Sequence, residues 1–418
     1  MLESIFARAS ILARFQLSPL NKYFSELVVL LRKEKYSKDT IQRYLKAVEA
    51  FGKWLIAKNI PLSSVNEDLL SFYIDSLGRR KLNSSTREVL PHNAVGLKPF
   101  LLLLQQLRVI NPKPQISQIT AIQQLLTAYN QYLEQTRGNA LGTRKQYLYF
   151  ARLFLQFAFP DDDLQWSKLC PETITKFIYQ QSCNRRGSGN KKPSSALRIF
   201  LRYLVNQGLL TTGFEGACPT MRTWTHASLP EHLSHEEVLR VVNASIGDSA
   251  INRRNHAIVL LLARLGLRAQ EVTHLKLDDI NWHESFVVIR ADKTRRERLL
   301  PLPQDVGQAI INYLQLARPD TQHREIFLKH VAPYKPLQTS SSVSKIIKHL
   351  LNKTAIKRTS SGAHLLRHTV ASQMVNQGAS FKEVADILGH QSLQTTGIYA
   401  KLNLATLSQV ALPWLGGN

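Results

Sequence analysis

The first half of the chain carries one helical pattern twice. Thr40-Ile-Gln-Arg-Tyr44, followed by Phe51 and Trp54, is echoed by Thr143-Arg-Lys-Gln-Tyr147, Phe154 and Phe157. Leu70, Tyr73 and Ile74 are echoed by Ile174, Phe177 and Ile178, and Leu97-Lys-Pro-Phe100-Leu101 by Leu197-Arg-Ile-Phe200-Leu201. The separation stays near roughly one hundred residues, with loop-sized drift, as expected of a duplicated module. Apolar residues recur at helical spacing, as in Tyr147, Phe150, Phe154 and Phe157, so each copy reads as a set of amphipathic helices. Chance likeness among such helices is the competing explanation.

With 418 residues the chain exceeds one ordinary core. Pro112 and Pro114, among polar neighbours, mark a first boundary. The expected domains are a helical one over 1–114, a second helical one over 115–214, and a third over 230–418. Gly213 to Pro230 reads as a linker, and Arg185 to Pro193 as a flexible basic loop. The third domain opens on a capping box, Ser234-His-Glu-Glu237, before a helix through Val242. A buried helix over Asn255–Leu265 ends near Gly266, suited to a left-handed C-cap. Ser285–Arg290 and Arg298–Leu302 read as two strands joined by a basic tip, Asp292 to Glu297. The fold class is mainly α, the last domain being mixed α+β with a small β-sheet.

The formal charge is +24, from 54 Lys and Arg against 30 Asp and Glu. Release of counterions from a phosphate backbone makes a polyanion the natural partner of such a chain. A membrane surface would need an anchor, and no stretch approaches the roughly 18 apolar residues of a spanning helix. Met1 to Gln16 reads as a helical start rather than a targeting peptide. Three cysteines, Cys170, Cys183 and Cys218, fit no zinc spacing and suggest free thiols in a reducing, cytoplasmic setting.

Three segments carry the chemistry: Gly266-Leu-Arg268-Ala-Gln-Glu271, His364-Leu-Leu-Arg367-His368, and His390 followed by Tyr399. They offer a phenol, two guanidinium groups and imidazoles, a set suited to attack on a DNA phosphodiester. Guanidinium stays protonated and grips two phosphate oxygens at once. Deprotonating a phenol of pKa ~10 at neutral pH costs about 4 kcal/mol. A departing sugar alkoxide costs roughly 12 kcal/mol if its conjugate acid resembles water, so a general acid matters more than a base. Lys293, at the hairpin tip, could supply that proton. The scheme needs no metal or cofactor, and no carboxylate cluster is arranged to hold ions. Singly, each residue has a blander reading: Arg268 an ion-pair partner of Glu271, His364 and His368 satisfied half-buried histidines, His390 a helix cap, Tyr399 a packed aromatic. Their order together is what points to catalysis. Arg144, Lys145, Arg295, Arg296 and Arg298 are candidate DNA contacts.

Across roughly Ser234 to Lys401 the sequence resembles the catalytic domain of the tyrosine recombinases, the phage integrase and Xer-like group. Arg268 matches the first family arginine, His364 and Arg367 the His-x-x-Arg box, His390 the second histidine, and Tyr399 the nucleophile. Lys293 stands in Ala291-Asp-Lys-Thr294, where the family usually has flanking glycine. The resemblance implies that Tyr399 forms a 3′-phosphotyrosine and frees a 5′-hydroxyl. It implies that residues about 117 to 212 are a helical core-binding domain closing on double-stranded DNA, with about 18 to 112 an additional, core-binding-like unit. It further implies assembly with other recombinase protomers, a tetramer on DNA and conceivably a mixed one. The apolar tail from Leu402 to Trp414 would then pack onto a neighbouring subunit, the alternative being its own core. The expected function is a site-specific recombinase or integrase of a mobile element. A catalytically silent DNA-binding paralogue and a type IB topoisomerase-like enzyme are the alternatives.

Overall fold

The computed structural model describes residues 2–77, 80–81, 88–89, 96–110, 120–183, 191–211, 213–220, 231–290, 297–390, 392 and 396–402. Five helices build the first module: α1 (Ala9–Gln16), α2 (Asn21–Lys33), α3 (Lys38–Ala57), α4 (Glu67–Ser76) and α5 (Leu97–Gln106). A two-stranded ribbon, β1 (Arg80–Lys81) and β2 (Glu88–Val89), lies between the last two. The second module has α6 (Ala121–Gln135), α7 (Leu141–Ala158), α8 (Pro171–Cys183) and α9 (Lys191–Asn206). Each module closes over its own apolar core. Among the described residues no helix is long and apolar enough to cross a membrane.

The sequence echo is matched by an echo in packing. In the first module Tyr73 of α4 meets Phe51 and Trp54 of α3, ring centroids 5.0 Å apart in both cases. In the second, Phe177 of α8 meets Phe154 and Phe157 of α7 at 5.4 and 5.6 Å. The likeness reaches a helix not noticed in the sequence. Tyr23 of α2 packs edge-on against Phe100 of α5 at 6.2 Å, as Tyr129 of α6 does against Phe200 of α9 at 4.9 Å. Corresponding helices of the two modules thus share ring pairs as well as a sequence pattern.

The third segment holds α10 (His235–Ala244), α11 (Ala250–Leu265), α12 (Ala269–His274), α13 (Gln304–Leu316), α14 (Ser340–Lys353), α15 (Ala363–Asn376) and α16 (Phe381–Leu388). A 3-10 turn, Gly397–Leu402, carries Tyr399. The Ser234–Glu237 capping box forms, and Gly266 ends α11 in the left-handed conformation at φ 60°. A methyl group at Gly266 would stand 2.8 Å from Leu388, so the close approach of α16 also requires glycine there. The sheet has three antiparallel strands, β3 (Ile280–Asn281), β4 (Phe286–Ile289) and β5 (Arg298–Pro301). Val287 lies opposite Leu300, and both side chains are buried.

The division into compact units joins 1–113 with 228–418 and leaves 114–227 as the other. Within the larger unit the Lys35 ammonium donates to the Asp320 carbonyl at 2.6 Å. Three local expectations need amending. β3 is an extra strand, too short to show periodicity and held by an Asx turn, in which the amides of His283 and Glu284 donate to Asn281 Oδ1. Lys191–Pro193 belong to the first turn of α9 rather than a loop, because proline is tolerated there. The start of the expected linker, Gly213–Thr220, packs on the second module: Cys218 is buried and Arg198 donates to its carbonyl.

Candidate active site

Arg268 occupies the N-cap position of α12. Its amide donates to Glu271 Oε2 at 2.7 Å and its Nη1 to Oε1 at 2.8 Å. Its Nη2 reaches across to the Gly389 carbonyl at 2.7 Å. Arg367, only 4 % exposed, donates to the carbonyls of Gly266 at 2.8 Å and Leu388 at 2.6 Å. The two guanidiniums therefore clasp successive carbonyls at the end of α16, and Arg367 also holds the turn that presents Arg268. The backbone folds this way because α11 and α16 both end in left-handed glycines, which leaves their terminal carbonyls open to side-chain donors.

Glu271 is the anion among these cations. Its side chain is 7 % exposed and also accepts from Arg298 Nη1 and Nη2 at 3.1 and 2.8 Å. Burial pushes its pKa up, but Arg298 and Arg268 outweigh that and hold it below the ordinary glutamate value. Arg298 thus lies on β5 with its terminal nitrogens turned inward, neither an exposed face nor an outward phosphate grip. Burial, with Arg268 next, brings Arg367 down to about 10, which leaves it protonated at neutral pH.

The imidazoles are held neutral. Burial and the positive arginines lower both His364 and His390, the latter to about 4. His390 follows the C-cap of α16, its amide donating to Ala385 O, and its Nδ1 pairs with Thr396 Oγ1 at 2.8 Å. Tyr399 is 1 % exposed and packs with Ala371, Val375, Val384 and Leu388. Burial pushes its phenol up to about 12, against the pull of Arg367. Its hydroxyl lies 2.6 Å from His368 Nδ1. By sequence alone His368 reads as a satisfied half-buried histidine; its place one residue after Arg367 on α15 is the available signal.

The structure therefore gathers Arg268, His364, Arg367, His390 and Tyr399 around the ends of α11, α15 and α16. Lys293, Arg295 and Arg296 lie outside the described residues, as does most of the apolar tail. Arg144 sits in the other unit, on α7, paired with Glu134 at 2.5 Å; Lys145 beside it is exposed. Among the described residues no cluster of His, Cys, Asp or Glu is arranged to hold a metal ion.

A helical fold with a small sheet, joined to a buried tyrosine among arginines and histidines, is the arrangement expected of a DNA-cutting and rejoining enzyme of the tyrosine type. The chain belongs to the phage integrase family of tyrosine recombinases, whose profile matches residues 231–405. It is 34% identical to the putative integrase/recombinase y4rA of Sinorhizobium fredii, over 88% of this chain and 87% of that one. It is 29% identical to y4rF of the same organism, over 100% of this chain and 96% of the relative. Tyrosine recombinase XerA of Pyrococcus furiosus is 27% identical over 68% of this chain and 92% of its own. In fold, the chain is similar to the XerH site-specific recombinase bound to palindromic difH substrate, TM-score 0.53 and 17% identity, over 85% of this chain and 99% of that one. The Tn1549 transposon integrase with transposon right end DNA gives the same TM-score at 16% identity, over 70% and 99%.

Proposed function

We propose that this protein is the site-specific recombinase of a mobile element, acting on double-stranded DNA in the cytoplasm as a tetramer of recombinase protomers. Tyr399 attacks phosphorus, Arg268, Arg367 and His390 stabilise the phosphate oxygens, His364 assists proton movement, and Lys293 protonates the leaving 5′ oxygen. The observation that carries the reading is the double clasp of Arg268 and Arg367 on the Gly389 and Leu388 carbonyls. It fixes two charged forks beside His390 before any substrate arrives, the preorganisation that transition-state stabilisation demands. The transposon integrase among the similar folds fits the element-borne role.

A nicked duplex of the element's own end provides the test, because loss of the short 5′-hydroxyl strand traps the covalent intermediate. The wild type should form an adduct, and Tyr399→Phe none. An adduct persisting in Tyr399→Phe would remove the nucleophile assignment. Salt-sensitive, site-specific binding without any adduct would mean a silent paralogue. Relaxation of supercoils by a monomer on random DNA would mean a topoisomerase-like enzyme. Mass measurement of the DNA-bound species decides the number of protomers.

A further inference from the structure

The imidazole hydrogen-bonded to the phenol is neither that of the His-x-x-Arg box nor the one after α16. It is His368, whose Nδ1 lies 2.6 Å from Tyr399 Oη with ring centroids 5.7 Å apart. His390 has its Nδ1 on Thr396 instead. Tyr399 is 1 % exposed, so bulk water does not bathe it and its proton needs an acceptor within the protein. We propose that His368 is a catalytic residue on the nucleophile's side of the reaction, accepting the Tyr399 proton at Nδ1 as the phenolic oxygen bonds to phosphorus. The inference rests on the reading of Tyr399 as nucleophile.

The step balances without a co-reactant. The Oη–H bond breaks toward His368 Nδ1 while Oη–P forms; the P–O5′ bond breaks and O5′ takes a proton from the general acid. On rejoining, the incoming 5′-hydroxyl returns a proton to that acid, and His368 hands its own back to Tyr399. Nδ1 can accept only in the tautomer with its hydrogen on Nε2. The groups facing His368 are His364 and Arg367 from its own helix, His390 from the end of α16, and Tyr399 from the 3-10 turn. Burial first, then His364 and Arg367, hold the resting imidazole neutral and so able to accept. A phosphate seated between the arginines would offset their field and strengthen that acceptor, which ties proton removal to the arrival of DNA.

The test uses the full chain and the nicked duplex, with two forms of the scissile linkage: ordinary phosphodiester, and one with sulfur in place of the bridging 5′ oxygen. Thiolate leaves without a general acid, so the second substrate isolates the nucleophile's side. His368→Asn should form adduct at least about 100-fold more slowly than wild type on both substrates, within the range general bases contribute. It should also lose the acid-side inflection of the wild-type pH–rate profile. Recovery of the wild-type rate on the sulfur substrate would place His368 with the leaving group and overturn the proposal. So would a fall under threefold with the profile unchanged. Should the variant fail to fold, nitrogen-15 NMR of histidine in the wild type decides: a hydrogen on Nε2 with Nδ1 accepting is expected, and a hydrogen on Nδ1 overturns it. Absence of adduct in the wild type removes both this inference and the reading beneath it, whereas a defect confined to His368→Asn separates them.

Discussion

Replacing Glu271 by Gln should both destabilise the catalytic domain and slow its chemistry. The carboxylate accepts four hydrogen bonds: from Arg268 N and Nη1 at 2.7 and 2.8 Å, and from Arg298 Nη1 and Nη2 at 3.1 and 2.8 Å. An amide keeps one acceptor oxygen and turns an NH2 toward the guanidinium groups, so about two of the four are lost at roughly 1.5–3 kcal/mol each. Arg298 is 11 % exposed and has little water to turn to, whereas Arg268 at 30 % recovers part of its loss. The net cost is about 3–5 kcal/mol, the range for breaking a buried pair. At roughly 2–4 °C per kcal/mol for a domain of this size, the catalytic-domain transition should fall by roughly 6–20 °C. Arg268 also loses its orientation, so adduct formation should fall by about 100-fold. Near-UV circular dichroism on heating and the nicked-duplex assay read the two effects. The acid side gives a signed check. Glu271 has a folded pKa below its ordinary 4.5, so its stabilisation is present above that value and lost as pH falls through the folded one. That slope should vanish in Glu271→Gln. A melting shift under 2 °C would refute the claim that this carboxylate holds the cations together.

Further tests address the backbone, the imidazoles and the repeat. Gly389→Ala places a methyl at φ 63°, 2.4 Å from Arg298 Nη1, and should cost about 1–3 kcal/mol and slow adduct formation; an unchanged adduct rate would detach that turn from catalysis. His390, lowered to about 4 in the free protein, should titrate closer to 6.5 with DNA bound, read by NMR; no upward movement would mean that the phosphate sits elsewhere. Because its folded pKa is depressed, the related stability is present above pH 6.5 and lost as pH falls toward about 4. Tyr73→Ala and Phe177→Ala should each cost about 3–5 kcal/mol, and a near-zero cost at either would break the equivalence of the two modules.

Much of this was legible from side chains whose identity alone is informative. The aromatic echo marked the apolar faces of the helices, and the rings on those faces meet in each small core. Gly266 and the Ser234 capping box announced their helix ends through local chemistry that needs no distant partner. What escaped were features made by distant contacts. Nothing near Arg298 signals that its fork turns inward, since its partner Glu271 is far away in sequence and was read only against Arg268. The bond between His368 and Tyr399 joins two elements separated by a helix and a loop, and only their packing brings it about. Carbonyl acceptors are invisible in the same way: Leu388 and Gly389 serve Arg367 and Arg268 through their backbone, which any residue possesses.

The charge of the assembled site bears on why it holds neutral histidines. Among the described residues, three guanidiniums, Arg268, Arg298 and Arg367, stand against the carboxylate of Glu271, a formal balance of three minus one, or +2, to which the proposed general acid Lys293 would add. A phosphodiester carries one negative charge at rest and gains a second as the tyrosine oxygen adds to phosphorus. In the proposed reaction this positive excess would therefore interact more strongly with the transition state than with the bound ground state, the condition under which binding energy lowers a barrier. Imidazolium at His364 and His390 would oppose the arginines, and burial first, then those same arginines, prevents it by lowering both groups. As neutral rings they can still donate a hydrogen bond to a phosphate oxygen. They gain affinity for a proton as a phosphate is seated and more as the second negative charge develops, so the histidines and the guanidiniums respond to the same event rather than competing for it.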